Sequence, residues 1–269
     1  MKRSAALLTL ISTIFLLLFQ VSCKEEPEEE NVVKTGCETI TVCGVTFNMI
    51  YVQGGTFTMG ATSEQGTQDP GSNEFPTHKV TLSDYYIGET EVTQELWCSV
   101  LGGSDPAVHQ GMQKPVENVS WNDCQTFIAE LNRLSGRHFR LLTEAEWEYA
   151  ARGGAYHSGY KYSGSDNYAD VAWYCENSNY STQPVKQKLP NKLGIYDMSG
   201  NVHEWCSDVY GLYTEEAQTN PQGSNSSSDH VIRGGAWLNI PSYCRVSYRY
   251  CYCVTQKNEY LGLRLAMSE

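Results

Sequence analysis

Hydrophobic and polar positions divide this chain sharply. Behind the basic pair Lys2 and Arg3, residues 5–19 are almost unbroken apolar sequence, and Ser22-Cys23 follows. That length, a basic front and a small residue at the end predict a secretory signal over residues 1–22, since the run is short for a membrane span. Directly after it, Lys24-Glu25-Glu26-Pro27-Glu28-Glu29-Glu30 offers nothing to bury and predicts a solvated tether. Residues 23–42 are therefore read as the tether and residues 43–269 as the folded domain.

Within that domain the apolar runs are short. Residues 49–52 and 56–59 flank Gln53-Gly54-Gly55 and predict a hairpin closed by Gly60. Residues 80–82 and 85–89 predict two further strands, broken at Ser83-Asp84. Three helices have start and stop signals. The first runs from Thr93 to Leu101 and stops at Gly102-Gly103. The second starts at Ser120, with Asp123 as capping partner, and ends at Gly136; Trp121, Cys124, Phe127, Ile128 and Leu131 recur at helical spacing. The third starts at Thr143, with Glu146 in the capping-box position, and ends at Gly153-Gly154. From residue 155 onward the pattern offers only short strands between Gly, Asn, Ser and Pro. The predicted class is α+β, one compact domain low in regular secondary structure.

Charge narrows the range of partners. Without Lys2 and Arg3, the 19 basic residues become 17 against 31 acidic ones, a balance of −14. Phosphate backbones are repelled by such a surface, and no Lys/Arg cluster offsets it, so nucleic acid is excluded as an expected partner. Nine cysteines follow Cys23, an odd number, and an exported chain meets conditions that permit disulfides. Cys98 and Cys124 sit in register with apolar residues of the first two helices, and are read either as a bridge between them or as two separate buried thiols. Cys37 and Cys43 are the next pair.

The N-terminal segment resembles a bacterial lipoprotein signal, with Cys23 as the lipidated residue of an outer-membrane lipoprotein. The charged run after it is similar to signals for surface exposure, the alternative being a plain acidic linker. Further along, several blocks occur in order. They include Gly54-Gly55-Thr56-Phe57-Thr58-Met59-Gly60, Glu89-Thr90-Glu91-Val92-Thr93 and Arg140-Leu141-Leu142-Thr143-Glu144-Ala145-Glu146-Trp147. Later come Asp197-Met198-Ser199-Gly200-Asn201-Val202-His203-Glu204-Trp205, Arg233-Gly234-Gly235-Ala236-Trp237 and Gly262-Leu263-Arg264-Leu265. Together these resemble the formylglycine-generating enzyme, or sulfatase-modifying factor, family over residues 49–266. The resemblance implies a C-type-lectin-like fold stabilised by calcium.

It also implies particular sites. Asp197 and Glu204 would give carboxylates to calcium, with Gly200 and Val202 giving backbone carbonyls, a hard-oxygen set of the kind calcium takes. A second calcium position would fall near Asp170, Val171, Asn177 and Asn179. The family's enzymes bind copper through two cysteines and oxidise a substrate cysteine. Here the second aligns with Cys244, but the first aligns with Asn239, and an amide is a poor ligand for a soft copper(I) ion. Ala236 and His203 depart from the enzymes' serine and tryptophan. Copper is therefore not expected. The expectation is a non-catalytic envelope module that holds a peptide, glycan or envelope protein; the alternative is an active copper-dependent oxidase that matures sulfatases.

Overall fold

A computed structural model describes residues 36–66, 71–224 and 227–268. Cys23 and the signal segment lie outside the described residues. The first elements are the strands β1 (Cys37–Val42), β2 (Val45–Val52), β3 (Gly55–Met59), β4 (His78–Leu82) and β5 (Tyr85–Gly88). Helices α1 (Gln94–Leu101) and α2 (Trp121–Ser135) follow, then β6 (Phe139–Leu141) and α3 (Glu144–Ala151). A one-turn helix α4 (Tyr168–Val171) leads into β7 (Ala172–Trp173), β8 (Ser199–Gly200), β9 (His203–Val209) and β10 (Gln218–Thr219). The chain ends with β11 (Asp229–Arg233), β12 (Arg249–Cys253), β13 (Leu261–Gly262) and β14 (Leu265–Ser268).

All three long-range helix starts carry the caps their sequence announces. Thr93, Ser120 and Thr143 each accept a backbone N–H with the side chain, and Asp123 and Glu146 close capping boxes. Among the described residues, beyond the 3-10 turn Gly154–Tyr156 the only helical pieces are α4 and the 3-10 turn Pro241–Cys244.

Strand pairing departs from the hairpin expectation. β2 pairs with β1 and β5 in a five-stranded sheet ordered β1-β2-β5-β14-β6, while β3 pairs with β4 in a separate sheet with β10. Residues 53–54 and 83–84 are where the chain crosses between these sheets. An added Cβ on Gly54 would lie 2.3 Å from the Leu82 carbonyl, and the Gly54 amide donates to Asp84 Oδ1 at 2.7 Å. Backbone contact at that crossing requires glycine, and the two runs are separated rather than folded back on each other. β1 also places the last six residues assigned to the tether inside a sheet.

The five-stranded sheet is covered on both faces. Period-two alternation in β14 sends Leu265 and Met267 to the core built with α1 and α2, and Ala266 to the core built with α3. Trp97 of α1 and Phe127 of α2 stack at 4.8 Å, filling the seam between those helices. Cys124 is fully buried and Cys98 partly so, and all nine described cysteines are unbridged. The bridge between the helices is thus absent. Cys37 opens β1 and Cys43 follows its last residue, so the length of a six-residue strand separates them and they cannot pair either.

A further sheet, β12-β11-β9-β13, carries the C-terminal segment. Four arginines in or beside it are almost wholly buried, each against a carboxylate. They are Arg233 with Glu148, Arg245 with Glu74, Arg249 with Glu144, and Arg264 with Glu204.

Candidate functional site

The first expected site falls on the loop from residue 197 to 202 and the start of β9. Asp197 and Asn201 take positive φ of 57° and 60°, and Gly200 takes 83°, so the backbone coils tightly under β9. Asp197 is buried; its Oδ2 accepts the Lys186 amide at 2.8 Å, and its Oδ1 has no partner. Burial, with the charge of Glu204 adding, pushes its pKa up to about 6. Glu204 is engaged differently. Arg264 donates to both its oxygens at 2.7–3.0 Å, and Trp147 Nε1 donates to Oε2 at 2.7 Å.

A third carboxylate joins them that sequence reasoning had left inside a motif. Glu91 is 1% exposed, accepts from Asn201 Nδ2 at 3.3 Å and leaves Oε1 unpartnered. Burial, then the charge of Asp197, raises its pKa well above the ordinary range. Three buried acids thus share one arginine. Among the described residues no three acidic, histidine or cysteine side chains form a metal-holding group by themselves. The unpartnered oxygens of Asp197 and Glu91 nevertheless suit a hard cation completed by backbone carbonyls such as those of Gly200 and Val202. At the second expected position, Asp170 bonds Asn167 Nδ2 and Asn177 bonds the Tyr174 amide and the Ala172 carbonyl. Those side chains are spent on local turns.

The second site is built on the segment after β11. Gly234 and Gly235 take φ of 95° and 74° and reverse the chain. A Cβ on Gly235 would lie 2.7 Å from the Tyr243 carbonyl and 2.8 Å from Cys244 Sγ, so the 3-10 turn can seat itself only against glycine. This buries Cys244 fully and, by burial first, pushes its thiol up to about 12. Asn239 carries an unpartnered Oδ1 next to His203, whose Nδ1 is also unpartnered; the two lie side by side without a well-formed hydrogen bond. Burial depresses His203 to about 4, so it is neutral at pH 7.

Copper does not fit Asn239 with Cys244, because one amide oxygen and one protonated, buried thiol do not make a soft two-thiolate set. A residue missed from sequence is Cys175. Its amide donates to the Asn239 carbonyl at 3.0 Å, and it packs against the apolar group that encloses Cys244. Nothing local in the sequence marks it, since 69 positions separate it from Cys244 and the loop between them has no regular pattern.

Above this floor lies an aromatic face. Tyr243 and Tyr248 are 4.9 Å apart, His203 stands between Tyr248 and Tyr260, Tyr260 bonds Tyr252 through the hydroxyls, and Tyr252 lies 5.3 Å from Tyr250. Leu238, Ile240, Tyr243 and Tyr250 are 37%, 53%, 42% and 48% exposed. His109 extends the face by packing edge-on to Trp237 at 4.9 Å.

An α+β domain with short strands, long ordered loops and a buried acid loop under its last sheet defines the C-type-lectin-like class. Within that class the chain belongs to the sulfatase-modifying factor enzyme 1-like domain family, which it matches over residues 42–269. It is 30% identical over 286 residues to the chaperone protein LppX of Paenibacillus barcinonensis, covering 87% of this chain and 94% of that one. It is likewise 30% identical to the formylglycine-generating enzyme of Streptomyces coelicolor, with 82% and 89% coverage. Among solved structures, Treponema denticola variable protein 1 superposes with a TM-score of 0.76 at 32% identity, covering 87% of this chain and 99% of that one. PvdO of Pseudomonas aeruginosa gives 0.70 at 26% identity, with 88% and 99% coverage. No described helix is long and apolar enough to cross a membrane.

Proposed function

We propose that this chain is a non-catalytic member of its family, exported and anchored through Cys23 in the outer membrane, that holds a partner on the aromatic face from Trp237 to Tyr260. The observation that carries this reading is the exposure of Leu238, Ile240, Tyr243 and Tyr250 within one short segment. Large apolar side chains grouped on a surface, with polar atoms left unpartnered beneath them, are what a binding site needs and what a closed surface avoids. Asn239 in place of a thiol argues against copper chemistry. In this reading calcium is structural. Asp197 and Glu91 would hold it with the backbone of the 197–202 loop, and it would neutralise carboxylates that Arg264 alone cannot.

A photoreactive residue placed at position 240, where Ile240 is exposed, should crosslink one envelope partner in intact cells, and Tyr243→Ala or Tyr250→Ala should abolish the adduct. Unchanged capture by both variants would exclude this face. The rival oxidase reading draws on one observation, the packing of Cys175 against the group that encloses Cys244. It requires that a Cys-x-Pro-x-Arg peptide gain an aldehyde with copper, oxygen and a reductant, and that Cys244→Ser stop the reaction. Mass spectrometry of the peptide decides between them.

A further inference from the structure

The charges around the aromatic face are unevenly distributed. The arginines of its own segment point inward, each to a buried carboxylate, and Lys257 is held by Asp123 at 2.7 Å. Beside Trp237, by contrast, three carboxylates have no cation paired with them among the described residues. The side chain of Glu259 is 44% exposed, its carbonyl accepts from Trp237 Nε1 at 3.0 Å, and its Oε2 lies 3.8 Å from His109 Nε2. His109 is no counter-charge, because burial lowers its pKa below the ordinary histidine range.

Glu117 behind it is fully buried. One oxygen accepts the His109 amide at 2.7 Å, and the other has no partner. Asp105 spends one oxygen on the Ala107 amide at 2.9 Å and leaves the other buried and unpartnered. Burial, then the charges of Glu259 and Asp105, raise Glu117 to about 7, so both of those acids act on it. Lys114 also reaches this corner, but its ammonium bonds Ser181 Oγ at 3.0 Å.

Two features that each favour a cation therefore meet at one edge. Tyrosine rings present negative π faces to a guanidinium or ammonium group. The unpaired carboxylates supply attraction at longer range, and the acidic balance of the whole chain strengthens it. An anionic partner would meet repulsion from Glu259, and a neutral one would leave the acids uncompensated. We infer that the partner held on this face is a cationic polypeptide, whose arginine or lysine side chains lie over Tyr243 and Tyr250 and reach Glu259. This rests on the reading of the face as a binding surface and adds the chemical class of the occupant.

The test uses the full chain purified in detergent and three fluorescein-labelled dodecapeptides of Gly and Ser. They carry four arginines, four glutamates or no charge. The arginine peptide should bind saturably with 1:1 stoichiometry and weaken at least fivefold between 50 and 300 mM salt, as surface charge attraction is screened. Glu259→Gln should weaken it at least threefold and Tyr250→Ala about tenfold, in line with the size of exposed cation–π and charge contacts. Glu215→Gln, in the loop on the Arg249 side of β12, should leave binding unchanged. Equal binding of the uncharged or glutamate peptide, or indifference to Glu259→Gln, overturns the cationic class. If the partner crosslinked at position 240 is retained but its binding ignores salt and Glu259→Gln, the face stands and only its chemistry is wrong. If Tyr243→Ala and Tyr250→Ala leave the crosslinked partner unaffected, the face itself falls.

Discussion

Arg249 and Tyr250 are adjacent on β12, yet one is 2% exposed and the other 48%. That contrast runs through the whole C-terminal segment. Alternation along the strand sends Arg249 inward to Glu144, in the layer where Arg233 meets Glu148, and sends Tyr250 and Tyr252 to the other side. The inner side is fixed by charges that cannot be left alone in a low-dielectric interior. On the outer side Tyr252 packs against the core and bonds Tyr260, while Tyr250 stands half exposed. A fold with few long helices can in this way carry a large irregular loop segment and still present an exposed surface, because buried ion pairs tie that segment to the rest of the domain.

The largest effect should come from breaking the inner layer. Glu148 accepts from Arg233, Arg152 and the Gly60 amide, and is fully buried. Glu148→Gln leaves two guanidinium groups short of charge, and should cost about 3–5 kcal/mol in chemical denaturation, as removing one partner of a buried pair usually does. A loss under about 1 kcal/mol would mean that the ion pairs are not what fixes the segment. Removing calcium should come next. A ligand held at about a hundred times its Kd contributes roughly 3 kcal/mol by mass action, so chelator should lower Tm by roughly 5–10 °C. Asp197→Asn should abolish that difference. A chelator-insensitive Tm in the unsubstituted chain, with no calcium by elemental analysis, would remove calcium from the account.

What could be read from sequence follows from range. The caps at Ser120 and Thr143 involve residues three apart, and both are where the sequence announces them. The acid loop was legible because its turn, from Asp197 to Glu204, is contiguous. Pairing was not. β2 chooses β5 over β3 through a backbone crossing between Gly54 and residues 82–84 that no local pattern encodes. The buried arginines were equally hidden, since charged residues read as surface until their partners, some 60 to 171 positions away, are in view. Glu91 and Cys175 join their sites for the same reason, by contact across the fold.

A smaller effect sharpens the contrast from the acid side. Glu117 is buried without a cation, and its folded-state pKa stands at about 7, above the ordinary carboxylate value. The folded state therefore binds the proton more tightly than the unfolded state does. Its contribution to stability should be greatest below the unfolded pKa, be lost as pH rises through about 7, and then stay level. Glu117→Gln removes this term. At pH 8 the variant should be more stable by about 2 kcal/mol, taking each pKa unit as roughly 1.4 kcal/mol and allowing for relaxation, and the advantage should vanish near pH 4.5. Urea melts at the two pH values test the sign.

The smallest expected change in stability is the most discriminating. If Tyr250 has no structural duty, Tyr250→Ala should alter unfolding free energy by no more than about 0.5 kcal/mol, the usual scale for surface substitutions. The ring is half exposed, and its close ring contact is Tyr252 at 5.3 Å. Its strand neighbour gives the internal control. Arg249→Met strips Glu144 of its bidentate partner and should destabilise by several kcal/mol, as other broken buried pairs do. Both variants are to be melted in urea and assayed for partner crosslinking under the same conditions. A folded Tyr250→Ala protein that no longer captures its partner places binding on the outer side and folding on the inner one. If Tyr250→Ala instead unfolds as readily as Arg249→Met, the tyrosines are part of the structure, and the division of labour along β12 fails.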